Sequence, residues 1–200
     1  MDSTGVSRQR RATSALPNPM RNVMHPALYL SIGAILLSAC QSSHPPITLA
    51  SHVDLPRFMG DWYVIANIPT FIEKGAYNAV ESYRLDKDGT IDTTFTFNKD
   101  AFDGPKKKYN PRGFVIDKVS NAVWGMQFIW PIKADYRIVY LNADYTQTII
   151  GHEARRYVWL MARTPTITDA DYQSMLTLIA REGYDISKVH RVPQLLEPKL

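Results

Sequence analysis

The chain has 200 residues, 23 Lys and Arg against 19 Asp and Glu, a formal charge of +4, and a single cysteine, Cys40. Arg8, Arg10, Arg11 and Arg21 are four of the basic residues and Asp2 is one of the acidic ones, so the segment from Cys40 onward carries only +1. That balance lacks the basic footprint of a nucleic-acid-binding domain, and a lone cysteine excludes an intramolecular disulfide.

The first element is an apolar run over residues 27–39, ALYLSIGAILLSA, entered from Arg21 and closed by Leu37-Ser38-Ala39-Cys40. A basic flank, a short apolar stretch and small residues before a cut site describe a secretory signal. Thirteen residues fall short of the roughly 20 that a helix needs to span a hydrocarbon core, so a permanent membrane helix is excluded. Leu-Ser-Ala-Cys resembles the bacterial lipobox, whose cysteine receives a diacylglyceryl thioether. The resemblance implies cleavage before Cys40 and a lipid-anchored product; the alternative is a plain signal peptide with an incidental cysteine. Gln41 stands where an inner-membrane retention signal shows Asp, which implies the outer membrane, with the domain facing the periplasm. Residues 1–39 therefore read as a signal peptide, 1–19 as a start-site artefact, and 40–52 as a lipidated terminus and tether. The domain itself is expected over 53–192, with a tail over 193–200.

Strand signals dominate from residue 61 on: β-branched and aromatic residues in short runs, over 61–68, 77–85, 90–97, 113–119, 122–129, 136–141, 146–152 and 156–162. Asp88-Gly89 is a hairpin turn signal between the second and third runs. In the third, Ile91, Thr93, Phe95 and Phe97 share one face. None of the eight is followed by a crossover helix, so the expected fold is all-β, an antiparallel barrel or sandwich. A single helix follows. Thr168 caps it, Tyr172, Met175, Leu176 and Ile179 share a face, and Arg181 and Gly183 end it. A last short strand is expected within 186–192.

With these elements in place, three motifs resemble the lipocalin signatures. Gly60-Asp61-Trp62 opens the first strand as Gly-x-Trp does; Asp144-Tyr145 resembles the second motif, with Thr148 in place of its second tyrosine; Arg163 resembles the third. The resemblance implies an eight-stranded antiparallel up-and-down β-barrel, a calyx, with the C-terminal helix packed outside. It is greatest to the bacterial outer-membrane lipoprotein branch, near apolipoprotein D and the plant temperature-induced lipocalins. In that family Trp62 would close the narrow end under Arg163, giving both a structural role.

Strand alternation and the family alignment together name a lining: Val64, Ala66, Ile68, Glu81, Tyr83, Phe95, Phe97, Trp124, Met126, Phe128, Tyr136, Ile138 and Tyr140. Ala79 and Leu85 share the face of Glu81. Glu81, Tyr136 and Tyr140 are the polar groups expected to orient a ligand. The alternative is a barrel filled by its own side chains. Pro69-Thr70-Phe71-Ile72 and Trp130-Pro131-Ile132 are placed at the open end, as lips that accept lipid or as a cover for the rim. Lys106-Lys107-Lys108 is placed in a loop, solvated or facing an anionic headgroup. The expected ligand is a fatty acid or lysophospholipid held at the outer membrane in membrane maintenance or envelope stress. The rival is an envelope lipoprotein with a filled barrel that works through protein contacts. A pigment carrier is a further reading, for which His152 is the obvious ligand. No cofactor, metal site or nucleic-acid partner is expected, and bacterial relatives imply that a homodimer is open to the chain. No Gly-x-Ser-x-Gly or His-Glu-x-x-His occurs, and the sole thiol precedes the barrel, so a binding protein rather than an enzyme is expected.

Overall fold

A computed structural model describes residues 44–195; Cys40 and the expected lipobox and signal peptide lie outside the described residues. The strands are β1 (Gly60–Ile68), β2 (Ala76–Leu85), β3 (Thr90–Lys99), β4 (Lys106–Tyr109) and β5 (Arg112–Val115). They continue as β6 (Val123–Ile129), β7 (Ile132–Leu141), β8 (Gln147–Gly151), β9 (Val158–Ala162) and β10 (His190–Arg191). A short helix α1 (Leu55–Phe58) precedes them and α2 (Asp169–Arg181) follows β9. The strands pair antiparallel in the order β10-β1-β2-β3-β5-β6-β7-β8-β9, with β4 also on β3, and β1 pairs with β9 from Tyr63↔Ala162 to Ile68↔Val158, which closes the sheet into a barrel. β4 and β5 both pair with β3 and together make one wall position, so the barrel has eight. All strands, α2 and both hydrophobic cores lie in the compact unit Ser42–Leu200, so the apolar burial of the described residues is complete within it.

β3 shows how composition makes a wall: Ile91, Thr93, Phe95 and Phe97 are buried, while Asp92, Thr94 and Thr96 between them are half-exposed. The fourth wall position departs from expectation in two ways. Lys106–Lys108 is not a loop but the exposed strand β4, held to Asn98, Phe97 and Thr96 of β3 by backbone pairing. Pro111 lacks an N–H and divides β4 from β5. The run over 113–119 ends as a strand at Val115, because Asp117 turns the chain by accepting the Val119 N–H at 2.9 Å.

The sequence makes two cores. One fills the lower barrel, where α1 drives Phe58 under Trp62 (ring centroids 5.0 Å apart) and against Trp124 (5.5 Å). The other joins the outer wall to α2 through Ile65, Ala66, Val139, Ile149 and Leu160 against Tyr172, Met175 and Ile179. β-bulges set which strand residues serve which core. The β1–β9 register shifts between Val64 and Ala66, and the β7–β8 register between Ile138 and Tyr140. Beyond each bulge the alternation changes phase. Ala66, Ile68 and Tyr140, expected in the lining, therefore belong to the outer layer under α2, and buried Asn67 lies opposite Trp159 instead.

The expected tether is also shorter. Ile47 is buried in the outer core and the Ala50 N–H donates to the Ile138 carbonyl at 2.9 Å. α2 begins where its cap was read: Thr168 Oγ1 accepts the Asp171 N–H at 3.0 Å. Thr168→Ala is expected to cost about 1 kcal/mol of stability in urea unfolding. No measurable change would mean the helix end is held by packing alone.

Candidate ligand-binding site

A cavity of about 860 Å³ occupies the upper half of the barrel. Its mouth is framed by Thr70–Glu73, the β6–β7 hairpin at Ile129 and Ile132, and the β8–β9 loop at His152 and Arg156. Its side walls include Phe95, Tyr109, Met126, Ala134 and Trp159. Below it the barrel is solid. Trp124 stacks on Tyr136 (5.2 Å, 13°) and meets Tyr83 edge-on at 5.8 Å.

The thirteen expected lining residues thus divide. Glu81, Phe95, Met126, Phe128 and Tyr136 line the cavity. Val64, Tyr83, Trp124 and Ile138 belong to the packed core, and Phe97 is covered by Phe95 and Tyr109. Ala66, Ile68 and Tyr140 face outward. Calyx and filled barrel, posed as alternatives, each describe one half of the molecule.

Several wall residues, Ala134, Tyr109, Glu73 and Trp159 among them, lie outside the expected lining. Tyr109 was hidden by placing its neighbours in a loop. Glu73 and Trp159 act together across the mouth. Glu73 is 5% exposed; its Oε2 accepts the Thr70 N–H at 2.8 Å and the Thr70 hydroxyl at 2.7 Å, and its Oε1 accepts the Trp159 indole N–H at 2.7 Å. Burial raises its pKa, while these donors pull the other way. Thr70-x-x-Glu73 has the spacing of a capping box, the one local signal available.

At the inner end, Tyr83 donates its hydroxyl proton to Glu81 Oε2, and the Tyr83 and Tyr136 hydroxyls are 2.7 Å apart. Burial pushes the Glu81 carboxyl up to about 8, with the Glu73 charge adding to it. Burial likewise raises Tyr136 and, at the mouth, lowers His152. Among the described residues, no ion pair involves Glu73 or Glu81. Around the mouth Phe71 is 83% exposed, Trp130 82%, Ile129 73% and Ile132 69%, so two of the loops that frame it expose large apolar side chains.

At the closed end the Arg163 guanidinium lies 3.9 Å over the Trp62 ring. Its Nη2 donates to the carbonyls of Arg57, Phe58 and Met59, and its Nη1 to that of Asp61. A Cβ on Gly60, whose φ is +92°, would come 3.3 Å from Nη1, so Gly-x-Trp has its glycine for both conformation and space. Asp144 and Tyr145 lie in the β7–β8 turn beside them; the Tyr145 hydroxyl accepts the Asp54 N–H at 2.9 Å, and Arg57 stacks 4.1 Å over its ring.

Comparison with known proteins agrees with this construction. The lipocalin-like domain family matches residues 53–194. The chain is 30% identical over 172 residues to the outer membrane lipoprotein Blc of Escherichia coli K12, covering 84% of this chain and 96% of that one. It is 34% identical over 148 residues to temperature-induced lipocalin-1 of Arabidopsis thaliana, covering 71% and 80%. Insecticyanin of the tobacco hornworm Manduca sexta has the same fold, with a TM-score of 0.60 at 14% identity over 76% of this chain and 87% of that one. A closed eight-stranded barrel with one C-terminal helix, matched over its whole length by this family, makes the chain a lipocalin.

Proposed function

We propose that this lipocalin binds a single-chain amphiphile, a fatty acid or lysophospholipid, and holds or carries it at the bacterial outer membrane as a binding protein rather than an enzyme. The observation that carries the reading is the cavity of about 860 Å³, apolar in its walls and opening between exposed apolar loops. That volume suits one drug- or lipid-sized ligand. The family and the outer-membrane address in the relatives' name support the setting. Signal cleavage before Cys40 and a lipid on Cys40 would supply the anchor, joined to the barrel by a short tether. Phe71, Ile129, Trp130 and Ile132 would then meet acyl chains at the bilayer surface, where amphipathic aromatic rings are favoured.

The direct experiment is native mass spectrometry with lipid extraction on the segment from Ser42 onward. One lipid per chain supports the reading; a chain that emerges empty and takes up no added lysophospholipid refutes it, favouring protein partners. Ala134 lines the wall near the mouth and is exposed to the cavity. Ala134→Trp should occupy ligand space without displacing core, lowering lipid affinity about tenfold while stability stays within about 1 kcal/mol. Unchanged affinity would place the ligand elsewhere.

A further inference from the structure

We propose that the inner end of the bound lipid is an uncharged hydrogen-bond acceptor, an ester or ketone carbonyl, seated on Glu81, and that the cavity disfavours a free carboxylate there. This rests on the lipid-binding reading above and narrows its ligand from a free fatty acid to a single chain that carries a neutral carbonyl at its buried end.

Tyr83 has one hydroxyl proton and gives it to Glu81 Oε2. The contact of 2.7 Å between Tyr83 and Tyr136 is then made by the Tyr136 proton. The chain Tyr136 to Tyr83 to Glu81 thus runs one way and ends at the carboxyl group. Tyr83 and Tyr136 are 3% and 6% exposed, whereas Glu81 remains partly open, on the lumen side. Its second oxygen, Oε1, receives no hydrogen bond from the described residues. With its acid proton on that oxygen, Glu81 presents a donor to the lumen.

The groups around it determine what that donor accepts. Trp62 of β1 and Phe95 of β3 are the cross-strand neighbours of Glu81 and carry no ionisable group. Glu73, above, is a second acid, already saturated by Thr70 and Trp159. Lys133 and Arg156 are the basic groups of the cavity, and both are engaged at its mouth. The Lys133 ammonium lies 3.7 Å over the Phe114 ring, and Arg156 lies 5.9 Å from the Tyr157 ring centre. Asp135 is held by Arg137 (2.9 Å), and His152 Nδ1 accepts the Ala154 N–H at 3.1 Å. Tyr109, on β4, stacks on Phe95 and Phe97. Among the described residues, neither of these cations lies at the inner end. A ligand carboxylate there would face two acids in an apolar chamber, and an alkyl terminus would leave the Glu81 donor unmet. An ester or ketone oxygen meets it without charge. Burial, which pushes Glu81 up to about 8, keeps the donor in place at neutral pH.

The test displaces a fluorescent fatty-acid dye from the segment starting at Ser42 with methyl laurate, laurate, dodecylamine and tridecane, at pH 6.5 and 9.5. Methyl laurate should bind at least tenfold more tightly than laurate at pH 6.5. Its affinity should fall about tenfold at pH 9.5, where Glu81 has lost its proton. Glu81→Gln, which keeps an N–H donor, should retain methyl laurate and lose the pH dependence. Glu81→Leu, checked for folding by near-ultraviolet circular dichroism, should bind methyl laurate no better than tridecane. Laurate binding as tightly as the ester, or an ester affinity flat with pH, overturns the proposal and leaves lipid binding intact. Dodecylamine binding tightest, and more so at pH 9.5, overturns it in favour of a cation site. Failure of every chain to displace the dye overturns lipid binding itself, and the proposal with it.

Discussion

Replacing Arg163 with alanine is expected to destabilise the folded unit by about 3 kcal/mol in urea unfolding followed by tryptophan fluorescence. One guanidinium serves the carbonyls of Arg57, Phe58 and Met59 at 3.0, 2.9 and 2.8 Å, Asp61 at 2.8 Å and, from Nε, Tyr145 at 3.2 Å. The end of α1 leaves carbonyls that no intrahelical donor can reach, and Arg163 supplies their donors from β9's far side. Its cation also covers Trp62, a contact of about 0.5–2 kcal/mol. The site is half-buried, so water partly replaces the lost donors, and the sum is well below that of five independent bonds. Arg163→Lys should recover little, since one ammonium cannot span these positions. Ligand affinity, measured at the opposite end of the barrel, should change less than threefold. A stability loss below about 1 kcal/mol would show that packing around Phe58 and Trp62 closes the barrel without the arginine.

Glu81→Gln should raise stability at pH 8.5 by roughly 3 kcal/mol, or about 10 °C in Tm, and change little at pH 4.5. The sign follows from where the proton is held. Unfolded, Glu81 titrates at the ordinary 4.5; folded, burial moves it to about 8. Between those values the folded chain holds a proton that the unfolded chain releases, so stability falls as pH rises from 4.5 to 8 and is level above. The full shift corresponds to several kcal/mol, and water in the open cavity reduces it. Glutamine is neutral in both states and removes the dependence while still accepting the Tyr83 hydroxyl. Glu73, also raised, slopes the same way, but three donors depend on its two oxygens, which makes its replacement a less direct probe. A wild-type unfolding curve flat from pH 5 to 8.5 would contradict this account.

Local chemistry made much of this fold legible. The Asp88-Gly89 turn, the alternation of β3 and the Thr168 cap each depend on residues within a few positions of one another. The phase of the strands across the bulges was not legible. Val64-Ile65-Ala66 and Ile138-Val139-Tyr140 are apolar on both faces, because both faces are covered, one by the inner core and one by α2. Period-2 alternation conveys no phase in such a stretch, so counting from Trp62 carried Ala66 and Ile68 to the wrong side. Three lysines resemble a loop for a related reason: β4 is held by backbone pairing, and Tyr109 is the one apolar side chain among its four residues. Glu81 and Tyr136 were legible as polar exceptions in apolar strands. The pairing of Glu73 with Trp159, 86 positions apart, had no such signal.

The two bulges have a consequence for how such a protein can vary. Each is a shift of frame in the side-chain pattern, and each is matched on both surfaces it separates. Deleting Ile65 or Val139 would exchange inside for outside along one arm of the strand. Apolar residues meant for α2 would turn inward, and in β1 the buried polar Asn67 would turn toward the helix. Insertions and deletions should therefore be excluded from β1 and β7 and accumulate in the loops over 69–75, 100–105 and 152–157. The rim can then drift in sequence while strand lengths stay locked by a helix that lines none of the cavity.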